Sequence, residues 1–170
     1  MYCIDQEVLV ELNGVPQSSV GSPEPVVISD EHLTFLAYVV EGKPEWDTRV
    51  LTESDLAIFV ERVALVEFLR CRSYMFGSPN DEAIHGHPLY MRGLKPYSVF
   101  EVQKSTWIRQ LEQMNSVHPR HNPNSFQSLH HYVFTFHDST FECIAEGHQI
   151  TEHEKSMGEL VQEIKNRLFV

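Results

Sequence analysis

The apolar pattern predicts an α+β fold: a curved, mostly antiparallel β-sheet of about 6–8 strands with two main helices, near residues 105–115 and 151–168. Three observations lead there. Residues 33–40 are apolar at both parities apart from Thr34, as in a strand covered on both faces. Residues 131–150 alternate like the two arms of a hairpin. Two segments repeat their apolar residues at helical spacing.

From the N-terminus, 7–12 alternates as a short strand, 13–25 is a loop rich in Gly, Pro and Ser, and 26–28 opens a second strand. After the strand at 33–40, residues 41–44 turn and 46–51 return. Residues 63–76 read as one strand, whereas helical and strand patterns compete over 55–62. Gly77, Pro79, Asn80 and Asp81 mark a turn; irregular chain rich in Gly, Pro and His follows, and 97–102 is a strand. Ser105 is an N-cap for a helix whose apolar face is Trp107, Ile108, Leu111 and Met114. The loop after it carries His118 and His121.

In the hairpin, a turn around Ser139 and Thr140 sets Phe136 opposite Cys143 and Phe134 opposite Ala145 on an apolar face. The other face then pairs His137 with Glu142, Thr135 with Ile144 and His131 with His148. The last helix opens on a capping box of Thr151 and Glu154, with Met157, Leu160, Val161, Ile164 and Leu168 as its stripe. No repeat or composition shift divides the 170 residues, so one domain is expected.

A formal net charge of -11 opposes nucleic-acid and anionic-membrane partners and favours a basic protein or peptide. No apolar run reaches the ~20 residues of a membrane helix. The acidic start lacks signal-peptide character, and Cys3, Cys71 and Cys143 are widely spaced without CxxC. A cytoplasmic protein with reduced thiols is the expectation.

Ten histidines draw attention to chemistry. Glu82, His85 and His87 follow a stiff turn, and residues two apart in extended chain share a side. Neutral imidazoles beside a carboxylate are what a divalent transition metal requires, so these three are the candidate metal ligands. His137, Asp138 and Glu142 surround the hairpin turn, where a carboxylate would raise the imidazole's pKa and set its tautomer. If the loop folds back over the hairpin, Asn80, Asp81, Glu82, His85, His87, His137, Asp138 and Glu142 form one polar site. Serine-hydrolase, Walker A, dinucleotide-binding and zinc-protease motifs are absent.

Three blocks carry a resemblance. Phe76 to Glu82 running into Gly86 to Tyr90, then Ser105 to Ile108, then Phe136 to Cys143, together resemble a group of uncharacterised bacterial proteins of this size. The resemblance covers about residues 63–148 and implies no activity or catalytic residue. The leading expectation is a non-catalytic binding or regulatory protein that presents a polar loop surface. Its rivals are a small metal-dependent hydrolase using Glu82, His85 and His87 with His137 and Glu142, and a ligand pocket between sheet and helix lined by Phe134, Phe136 and Trp107.

Overall fold

A computed structural model describes residues 4–41 and 61–168. The expected strand at 46–51 and residues 55–60 of the ambiguous stretch at 55–62 lie outside the described residues, and Arg62 at its end belongs to a strand.

Apolar runs without a polar face need cover on both sides, and the layering supplies it. Among the described residues, nine strands form two antiparallel sheets. The five-stranded sheet has the order β1 (Val8–Glu11), β6 (Val99–Gln103), β7 (His130–Thr135), β8 (Thr140–Ala145), β5 (Ser73–Gly77). The four-stranded sheet has the order β2 (Val26–Ser29), β3 (Thr34–Val39), β4 (Arg62–Leu69), β9 (Gly147–Glu154). Their inner faces meet through Leu36, Tyr38 and Phe68 on one side and Phe134, Phe141 and Cys143 on the other. Phe68 stacks on Phe141 at 5.3 Å and meets Phe134 edge-on at 5.8 Å, both favourable ring geometries.

Both outer faces are also covered. Helix α1 (Thr106–Asn115) and the chain around Leu89 and Leu94 pack on Phe100, Val133 and Ile144 of the five-stranded sheet. Helix α2 (Met157–Leu168) lays Leu160 and Ile164 against Phe35, Ala37 and Val63 of the four-stranded sheet. The α+β class and the antiparallel pairing agree with the sequence, as do both helices. No helix among the described residues is long and apolar enough to cross a membrane.

Several expectations are corrected. The single curved sheet is two sheets, because the expected strand at 63–76 breaks into β4 and β5. Arg70 adopts a left-handed φ of 48° there and carries the chain from one sheet to the other. The chain crosses back at Glu146, whose N–H donates to Leu69 O at 2.9 Å and whose carboxylate pairs with Arg70 and Arg72. The two crossings are thus fastened together. The second arm of the hairpin consequently ends at Ala145, and His148 lies opposite Phe68 in the other sheet rather than opposite His131.

The hairpin register is also corrected. The turn is at His137 and Asp138, where Phe136 N–H donates to Ser139 O at 2.8 Å. Phe134 therefore faces Phe141, Tyr132 faces Cys143, and Val133 faces Glu142; Phe136 does not pair with Cys143, nor His137 with Glu142. The strand residues 131–135 and 140–145 keep their expected faces, because the displacement is even on each arm. Contacts outside the hairpin support the earlier turn: Asp81 N–H donates to His137 O at 2.9 Å, and the Thr140 hydroxyl to Pro79 O at 2.9 Å.

The last helix begins at Met157, not near 151, because Thr151 and Glu154 belong to β9. Its capping box is Ser156 and Glu159: Ser156 N–H donates to Glu159 Oε2 at 3.0 Å and Glu159 N–H to Ser156 Oγ at 3.3 Å. In α1, Trp107, Ile108 and Leu111 face the sheet, but Met114 is 72% exposed because the helix outruns its cover.

Candidate functional site

Glu142 is the one charged residue of β8, a strand buried along its whole length. Its parity sends it to the outer face of the five-stranded sheet with Ile144, beneath the connection between β5 and β6. A carboxylate there is costly unless hydrogen-bonded. His131, diagonal to it on β7, brings Nε2 to 2.9 Å from one oxygen, and His87 brings Nε2 to 3.0 Å from the other. His131 is 0% exposed, and His87 and Glu142 are each 6% exposed.

The outer ring nitrogens decide the protons. Leu89 N–H donates to His87 Nδ1 at 3.1 Å, so the His87 proton is on Nε2 and points at Glu142. Ser105 Oγ, the N-cap of α1, accepts from Ile108 N–H at 3.3 Å and lies 3.0 Å from His131 Nδ1. Because the Glu142 carboxylate only accepts, a proton on His131 Nε2 faces it as well. Burial pushes the Glu142 carboxyl up, but the hydrogen bonds from His131 and His87 outweigh it and hold the group at about 2. Trp107 closes the far side, edge-on to the His131 ring at 5.2 Å.

A second group lies at the hairpin turn. Asp81 Oδ2 accepts from the Tyr97 hydroxyl and from His137 Nδ1, the latter at 2.8 Å, while the Tyr97 and His137 rings stack at 6.3 Å. The Tyr97 and His137 hydrogen bonds lower Asp81, and the Asp81 contact raises His137 above its ordinary value. The loop therefore does fold back over the hairpin, through Asp81 and His87.

The other candidates do not converge. Asn80 Oδ1 accepts from Ala83 N–H at 3.1 Å and caps the turn. Glu82, His85 and Asp138 are exposed. The extended backbone that would align His85 with His87 is instead a 3-10 turn over Ile84–Gly86, so His87 is buried while His85 lies edge-on to Tyr90 at 6.5 Å. Among the described residues no three or more His, Cys, Asp or Glu side chains are grouped to hold a metal ion. Phe134 and Phe136 line a crevice of about 110 Å³ with Leu12, Val15, Tyr38 and Tyr97, whereas Trp107 is on the opposite face of the sheet, so the three do not line one pocket.

Sequence reasoning missed His131, Ser105 and Tyr97 as members of these groups. One signal was available: a lone glutamate in an otherwise apolar strand must find donors. Glu7 was missed too. It is 1% exposed and accepts from Thr106 N–H at 2.6 Å, where the positive end of α1 favours a carboxylate. No family model, curated protein or solved structure matches the chain.

Proposed function

We propose that this chain is a non-catalytic binding protein whose recognition surface is the connection between β5 and β6, residues 78–98, and that it takes a basic segment of another protein. One observation carries the reading. That connection is held to the hairpin at four points: Pro79 O by Thr140, Asp81 by His137, His87 by Glu142, and Lys95 O by the Thr135 hydroxyl at 2.9 Å. Between the anchors it displays Tyr90 and Met91, 42% and 88% exposed, beside the exposed Glu82 and His85. A loop ordered before binding loses less entropy on binding, and exposed apolar side chains on a fixed frame act as anchors. The net charge of -11 supports a basic partner. The hydrolase reading gains less, since His87 has both ring nitrogens engaged internally and Glu82 and His85 are separated from it by burial.

The test is a titration of isotope-labelled protein with an arginine- and lysine-rich peptide carrying one aromatic residue. Amide shifts should concentrate in 82–93, and Met91→Ser should weaken binding about tenfold with the fold unchanged. Shifts scattered over the acidic surface, or equal binding by Met91→Ser, would reject the proposal.

A further inference from the structure

We infer that the chain self-associates through β5: two copies pair this edge strand antiparallel about a twofold axis at Met75 and join their five-stranded sheets into one. β5 ends the order β1-β6-β7-β8-β5, and among the described residues β8 is its one ladder partner. An edge strand offers backbone N–H and C=O groups to a further strand, and monomeric proteins commonly block this with charge, proline or a bulge. β9, an edge of the other sheet, carries Gln149, Glu152, His153 and Glu154. β5 reads Ser73-Tyr74-Met75-Phe76-Gly77, with no charge and no proline.

Its exposed groups are aromatic. Tyr74 and Phe76 lie opposite Cys143 and Phe141, on the inner face of the sheet, yet each is 44% exposed. The inner face is therefore uncovered along this edge. Both rings rest on Phe141: Tyr74 stacks on it at 6.1 Å and Phe76 tilts against it at 6.4 Å. Side chains ordered before association lose less freedom on association.

Two features select a second copy as the occupant. The first is a self-complementary register. With Met75 facing its own counterpart, Tyr74 lies opposite the partner's Phe76, and Ser73 opposite the partner's Gly77. Alternation puts both Tyr–Phe pairs on one face, where cross-strand aromatic pairs stabilise a sheet. The second is charge. Arg70 and Arg72, with side chains 75% and 50% exposed, precede β5, and exposed Glu82 follows it beyond the turn. Antiparallel order brings the basic end of each copy to the acidic end of the other. The net charge of -11 on each copy acts at longer range, where salt screens it. A contact of this symmetry closes with two copies. The paired rings belong to the inner face, whereas the chain around Leu89 and Leu94 packs on the outer face, so this inference is independent of the proposed partner surface.

The test is sedimentation equilibrium of the full chain at about 0.15 M salt, up to sub-millimolar protein. The mass should rise from 19.7 kDa towards twice that value. Amide exchange at 73–77 should slow over the same concentration range, a readout that needs no variant. Tyr74→Lys and Phe76→Glu should each weaken association about tenfold or more, because each change is met twice in the dimer. An equimolar mixture of the two variants should recover the dimer: one crossing sets the new lysine against the new glutamate, and the other restores Tyr74 opposite Phe76. Val10→Lys, on the opposite edge strand β1, should leave association unchanged. A chain that stays at 19.7 kDa throughout, association that survives Tyr74→Lys or is lost in Val10→Lys, or a mixture that remains monomeric would each overturn the inference.

Discussion

Replacing Glu142 by glutamine preserves shape and tests the buried network directly. The carboxylate accepts from His87 Nε2 at 3.0 Å and His131 Nε2 at 2.9 Å. Glutamine has one acceptor oxygen, and its amide nitrogen would face an imidazole N–H, leaving buried donors opposed. Two routes give the size of the loss. A buried unsatisfied donor costs about 1–3 kcal/mol. The drop of the Glu142 pKa from 4.5 to about 2, at about 1.4 kcal/mol per unit, corresponds to about 3 kcal/mol near pH 7. Its sign is that of a depressed acid: the stabilisation is complete above the unfolded pKa near 4.5 and disappears as pH falls towards 2. At about pH 3 roughly half of it or less remains. Urea unfolding of both proteins near pH 7 and pH 3 should therefore show a gap of about 3 kcal/mol that narrows by roughly half. A gap below about 1 kcal/mol near pH 7, or one that stays constant with pH, would refute the view that His87 and His131 hold an ionised Glu142.

Two further expectations concern the other layers. Leu160 is 1% exposed and packs on β3 and β4, so Leu160→Ala should lose about 2–5 kcal/mol in chemical denaturation; an unchanged midpoint would mean that α2 does not dock there. His137 should titrate above its ordinary value by NMR and return towards it in Asp81→Asn, with faster amide exchange over 80–87. Because the His137 pKa is raised, the contact is full below the unfolded value and weakens as pH rises through the folded one; identical titration in the variant would discard the clamp.

Local pattern carried much of the architecture. The double parity of 33–40 announces a strand buried on both faces, and β3 is buried along nearly its whole length. The stripe from Met157 to Leu168 identifies the face of α2 that docks, and Ser105 caps α1 as its residue type suggests. Hairpin parity likewise assigns Phe136 and Cys143 to one face, as found. These features depend on side-chain periods of 2 and 3.6, which are written into adjacent residues.

The remainder depends on partners distant in sequence. The turn centre differs because alternation is unchanged by an even displacement along both arms, and Asp81 and Pro79, outside the hairpin, hold the turn where it is. The division into two sheets depends on a left-handed Arg70 and on Glu146 bonding to Leu69, neither of which alters the apolar pattern of 63–76. At the candidate site the composition marks the right loop, but not which histidine turns inward. His87 and Glu142 are 55 residues apart, and only the packing of the loop on the sheet selects His87 over His85. Periodicity assigns a residue to a face; the tertiary fold decides what covers that face, and so whether its polar groups meet solvent or one another.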